Sequence, residues 1–285
     1  MASFESTVAR IEAGIARDHG DPSIDPRCTA ILRHHGRMAA QAVVLFHGFT
    51  NCPRQFEEFA ERAYARGWNV LVPRLPHHGL RDKLTLDMAA LTLDELIQCT
   101  EESAADAAAL GTEVCALGLS VGGTMALWLA QTQAVARAIA VAPFISIDHL
   151  PGSLEPLFAA ALGLAPNLEM WWNPKLREAQ PPTHGYPRFP THALAQCLRL
   201  GERVRARARD AAPRAASTLL VTNELDPAID NGAARDIIAR WRKHTSAVDE
   251  FVFTTLDARH DIIEPTTYPE ARTLVYPKLL DFLAP

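Results

Sequence analysis

From Val114 to Ala130 the chain reads VCALGLSVGGTMALWLA, and no other stretch constrains its fold as tightly. The first half is a short apolar run of strand type, and the second has the small and apolar residues of a buried helix. Ser120 stands at the junction, with Gly118, Gly122 and Gly123 around it. A residue on so sharp a turn must leave the sheet edge with strained backbone angles, so its neighbours need to be glycines to avoid collision. Gly123 in turn lets the helix approach the strands closely. Such a strand lifts the hydroxyl to the carboxyl end of a sheet, where ligands bind in open α/β structures. The plain alternative is a glycine-rich turn with a solvated hydroxyl, and the rest of the chain has to decide between them.

The surrounding pattern is an alternation. AVVLFHG (42–48) is a near-continuous apolar run, the mark of a strand covered on both faces, and a helix follows over 53–66. WNVLVP (68–73) reads as a strand. A capping box at Thr92 and Glu95 opens a helix that ends near Gly111. VARAIAVAPF (135–144) is a further strand, and STLLVTNE (217–224), a helix from Asn231, AVDEFVFTT (247–255) and a last helix over 269–283 complete the series. The last helix carries Leu274, Val275, Leu279 and Phe282. This order implies α/β architecture, a mostly parallel central sheet with helices on both faces. Residues 146–214 break the rhythm: they are rich in proline and aromatics, show no clear strand, and are too long for a simple loop. They read as a mostly helical cap inserted into a core formed by 1–145 and 215–285. Phe4, Val8, Ile11 and Ile15 recur at helical spacing within an N-terminal extension of forty residues.

A net charge of -5 argues against nucleic acid as the main partner. The five cysteines lie far apart with no C-x-x-C pair, which fits unpaired thiols in a reducing compartment. The N-terminus lacks the apolar core of a signal peptide, and no apolar run is long enough to span a bilayer. The expectation is a soluble, cytoplasmic protein with no stable membrane insertion.

Three further segments give the serine a context. A serine hydroxyl is a poor nucleophile until a base takes its proton, and that base needs an acid to hold its tautomer. On this architecture the chain order is serine, acid, histidine. TNELDPAID follows a late strand and offers Asp226, with Glu224 and Asp230 as rivals; Asp230 is better placed to cap the next helix. DARHDIIEP follows the last strand and offers His260. The tetrahedral oxyanion of acyl transfer needs backbone N–H donors. Val121, after the serine, and Phe49, in HGFT (47–50), are the candidates. His47 reads as a packed structural residue. His77 and His78 lack a third ligand, so no metal site is expected.

HGFT (47–50), PHHG (76–79), GLSVGG (118–123), LDPAI (225–229) and RHDIIEP (259–265) together resemble the α/β-hydrolase superfamily, and within it bacterial carboxylesterases and monoacylglycerol-lipase-like enzymes. The resemblance covers about 40–145 and 215–285. It implies a serine hydrolase acting on carboxylic esters, with Ser120, Asp226 and His260 as the triad, an oxyanion hole at Phe49 and Val121, and no cofactor. Many relatives have R-G-x-G where this chain has Pro76-His77-His78-Gly79. The same triad would serve an acyltransferase or thioesterase, and a non-catalytic ligand-binding protein is the remote alternative. The expected partner is a small-molecule ester with an apolar acyl chain. Phe144 is a pocket candidate at the sheet edge. Trp171 and Trp172, with Phe158, Tyr186 and Phe189, either line an acyl pocket or form the cap's own core.

Overall fold

The computed structural model describes residues 3–147, 154–245 and 247–285. Its main sheet contains β1 (Ile31–Arg33), β2 (Ala39–Phe46), β3 (Asn69–Val72), β4 (Gly111–Leu119), β5 (Arg137–Val141), β8 (Ser217–Asn223) and β9 (Val248–Phe253). The order across the sheet is β1-β3-β2-β4-β5-β8-β9. Every neighbouring pair is parallel except β1 with β3. The inner strands are apolar on both faces because helices cover both. Val44 and Phe46 of β2 enter one core with α1 (Phe4–Gly20), α3 (Leu93–Leu110), α4 (Val121–Thr132) and α7 (Asn231–Trp241). Val43 and Leu45 enter the other, with α2 (Glu57–Tyr64) and α8 (Tyr276–Leu283). The two-residue period of a strand makes this division.

The capping box is formed, with the Thr92 side chain accepting from Glu95 N and the Glu95 carboxylate from Thr92 N. The N-terminal extension is tied to the core. Phe4, Val8 and Ile11 are buried on α1, and Arg74 grips the Asp18 carboxylate through Nε and Nη2, both at 2.8 Å. Its β1 caps the sheet edge, a strand that three residues of modest apolarity do not announce.

Three expectations need correction. Cys28 and Cys52 form a disulfide, with Cα atoms 5.3 Å apart. Sequence separation hides the pair, because the short helical turns Pro26–Cys28 and Pro53–Phe56 meet only in the folded chain. The cysteines therefore give no sign of a reducing compartment; among the described residues no helix is long and apolar enough to cross a membrane. Second, the segment between β5 and β8 is not strandless. Alongside α5 (Glu155–Leu164) and α6 (Thr191–Arg207) it holds an antiparallel pair, β6 (Glu169–Trp171) and β7 (Arg188–Pro190). These strands are too short to show alternation, and a long proline-bearing connection separates them. Residues 148–153 of the expected cap lie outside the described residues. Third, the last helix opens with a π-turn, Ala271–Val275, that leaves Leu274 exposed. Pro277 donates no N–H and would crowd the Thr273 carbonyl in a regular helix.

The junction after β4 is as crowded as its glycines suggest. A Cβ on Gly118 would stand 2.0 Å from Gly122 O, and one on Gly122 would stand 2.0 Å from Phe46 O. Both obstacles are backbone, one in the first turn of α4 and one at the end of β2, and cannot swing aside as a side chain would. Gly122→Ala is expected to cost about 4 kcal/mol or more, the range of severe overpacking. Urea unfolding of the variant measures this, and a loss under about 1 kcal/mol would show that the helix can retreat from β2.

Candidate active site

Ser120 occupies the turn between β4 and α4 at φ 59° and ψ −120°, a left-handed conformation that L-residues avoid. The backbone holds it there. Ser120 N donates to Val141 O at 2.9 Å, and Ser120 O accepts from Thr124 N at 3.0 Å and Phe144 N at 3.1 Å. The strained residue is thus fixed by β5, by the first turn of α4 and by the loop after β5.

Two late loops reach the same edge. Asp226 follows β8 and has a fully buried side chain; His260, beyond β9, is about one quarter exposed. His260 Nδ1 lies 2.8 Å from Asp226 Oδ2, and Asp226 Oδ1 accepts from Ala228 N at 2.8 Å. Both carboxylate oxygens are therefore engaged, and the contact assigns the proton on His260 to Nδ1, leaving Nε2 as an acceptor. The rivals stand elsewhere: Asp230 caps α7 through Ala233 N, and Glu224 is exposed.

A cavity of about 310 Å³ opens at this edge, and Phe49, Ser120, Val121, Phe144, Trp172 and His260 all line it. Among the described residues neither Phe49 N nor Val121 N has a hydrogen-bond acceptor. Val121 is the first residue of α4, so its N–H is one of the orphan donors of a helix start. His47 is buried behind this loop. Its Nδ1 donates to Gly48 O at 3.0 Å and its Nε2 accepts from Leu75 N at 3.3 Å. Burial, then the neighbouring His78, holds its pKa well below the ordinary value, so it stays neutral as packing.

The paired tryptophans separate. Trp172 lines the cavity, with Nε1 donating to Thr50 Oγ1 at 2.8 Å and its ring 4.3 Å from that of Phe189. Trp171 does not line it. On the other face of β6 its ring lies beside the guanidinium groups of Arg177 and Arg188, so its assignment as substrate-binding is corrected. Trp171 is the last residue of β6 and Trp172 the first beyond it, so the two part where the strand ends. Tyr186 lines the cavity, while Phe158 is more than a third exposed. Sequence reasoning missed Gln55 and Asp261, both cavity-lining. Gln55 lies in a 3₁₀ turn before α2, where helical spacing misassigns faces. Among the described residues no group of three or more His, Cys, Asp or Glu is arranged to hold a metal ion.

The chain belongs to the Alpha/beta hydrolase family, whose sequence pattern matches residues 43–272. It is similar to the thermostable monoacylglycerol lipase of Bacillus sp. (strain H-257), 30% identical over 172 residues, which make up 58% of this chain and 63% of that lipase. The match thus spans less than two thirds of the relative. Among solved structures, a metagenome-derived lipolytic enzyme superposes with a TM-score of 0.70 at 18% identity, covering 91% of this chain and 98% of that one. The monoacylglycerol lipase of Paleococcus ferrophilus gives 0.66 at 18% identity, covering 89% and 99%. At such identity these structures speak for the fold.

Proposed function

We propose that this hydrolase cleaves carboxylic esters through an acyl-enzyme on Ser120. The observation that carries the reading is the His260–Asp226 contact beside the cavity that Ser120 and His260 both line. Ser120 Oγ attacks the ester carbonyl while His260 Nε2 takes its proton. The imidazolium so formed is stabilised by the buried Asp226 carboxylate, and the N–H groups of Phe49 and Val121 receive the developing oxyanion. His260 returns the proton to the leaving alcohol, and water attacks the acyl-enzyme by the same route. The segment between β5 and β8 acts as a roof that keeps the acyl chain out of water. The lipase among the relatives supports an ester with an apolar acyl group. The direct test is hydrolysis of p-nitrophenyl esters from acetate to palmitate; a chain that cleaves none of them is not this enzyme.

The two tryptophans give a finer test. Each methylene transferred from water to an apolar wall contributes about 0.8 kcal/mol. Two added carbons should therefore raise kcat/KM by roughly tenfold until the cavity is full. Trp172→Ala should flatten this chain-length profile, and Trp171→Ala should leave its shape alone. Identical profiles for the two variants would deny Trp172 its place in the acyl pocket.

A further inference from the structure

Gln55 is 3% exposed and bonds in two directions. Its Oε1 accepts from Gly48 N at 2.8 Å, and its Nε2 donates to Asp261 Oδ2 at 2.7 Å. Gly48 precedes Phe49, and Asp261 follows His260. The other oxygen of Asp261 accepts from Ile263 N at 2.9 Å and Glu264 N at 3.0 Å, which fixes the carboxylate within its own loop. One amide therefore joins the loop after β2 to the loop after β9, 206 residues apart in sequence.

We infer that Gln55 is a positioning residue, whose side-chain amide sets the register between the oxyanion donor at Phe49 and the base at His260. The inference rests on the ester-hydrolase reading of the same site. An amide is the side chain that this place requires, because one end must accept from a backbone N–H and the other must donate to a carboxylate. Asp261 is half-buried, and its partial removal from water pushes its pKa up from the ordinary carboxylate value while the Gln55 hydrogen bond opposes the rise. Loss of that donor leaves an oxygen of a half-buried carboxylate without its protein partner beside His260. The two loops, which otherwise come from separate strands, can then drift apart. Catalysis is sensitive to such drift, since a displacement near 1 Å costs on the order of a hundredfold.

A four-member cycle tests this. Gln55→Glu sets two carboxylates against each other. Asp261→Asn sets amide donor against amide donor, and flipping Gln55 only moves the conflict to Gly48 N. When Gln55→Glu and Asp261→Asn are combined, the new carboxylate accepts from both Gly48 N and the amide introduced at position 261, so every group is paired again. The expected result for each single variant, and for Gln55→Ala, is a kcat lower by roughly a hundredfold with KM within about threefold. The double variant should recover to within about tenfold of wild type, as coupled neighbours do. Melting temperatures are measured beside the kinetics. A Gln55→Ala kcat within twofold of wild type, or a double variant no better than the poorer single one, overturns the inference. Should Gln55→Ala fail to fold, the four members of the cycle still decide. An inactive wild type, or an active Ser120→Ala protein, removes the ester-hydrolase reading and this inference with it. An active wild type, an inactive Ser120→Ala protein and an unaffected Gln55 cycle remove the inference alone.

Discussion

Ser120→Ala should fold as the wild type does and lose ester hydrolysis by roughly 10⁴- to 10⁶-fold, the scale of removing a nucleophile that works as part of a triad. The fold survives because the residue's backbone bonds to Val141, Thr124 and Phe144 do not involve the hydroxyl. The strain at φ 59° survives too, since alanine has the same Cβ. Ser120→Gly should remove both the hydroxyl and the strain, and unfold on the order of 1 kcal/mol later than Ser120→Ala. Parallel assays and urea melts check both parts. Substantial turnover in either variant would move the nucleophile elsewhere, and a less stable glycine variant would deny the strain.

Asp226→Asn should lower kcat by roughly 10⁴-fold with little change in stability. The reason lies in the two bonds of the carboxylate. An asparagine that keeps its oxygen on Ala228 N must turn its amide toward His260 Nδ1. The ring then carries its proton on Nε2, facing Ser120, and cannot act as a base. Turning the amide the other way sets donor against donor at Ala228. The kinetics of Asp226→Asn, Glu224→Gln and Asp230→Asn settle the assignment. Greater harm from either of the latter would place the acid on a different side chain; Asp230→Asn should keep the α7 cap, since asparagine caps a helix as well as aspartate does.

The core of the fold is legible because its rules are local. Continuous apolar runs mark strands covered on both faces, and the glycines around Ser120 mark a turn where backbone meets backbone. Chain order then points to Asp226 and His260 once the strands are known. What stays hidden depends on contacts between distant segments. Cys28 and Cys52 give no spacing signal, and β6 is too short to reveal which tryptophan faces inward. Gln55 looks like an ordinary polar residue beside Phe56 until its partners at Gly48 and Asp261 are in view.

The most direct measurement is to treat the protein with a fluorophosphonate and locate the adduct by intact mass and peptide mapping. One phosphonyl group per chain is expected, on Ser120, absent from Ser120→Ala and formed far more slowly in Asp226→Asn. An adduct on another serine, or no adduct on protein that hydrolyses esters, would contradict that expectation.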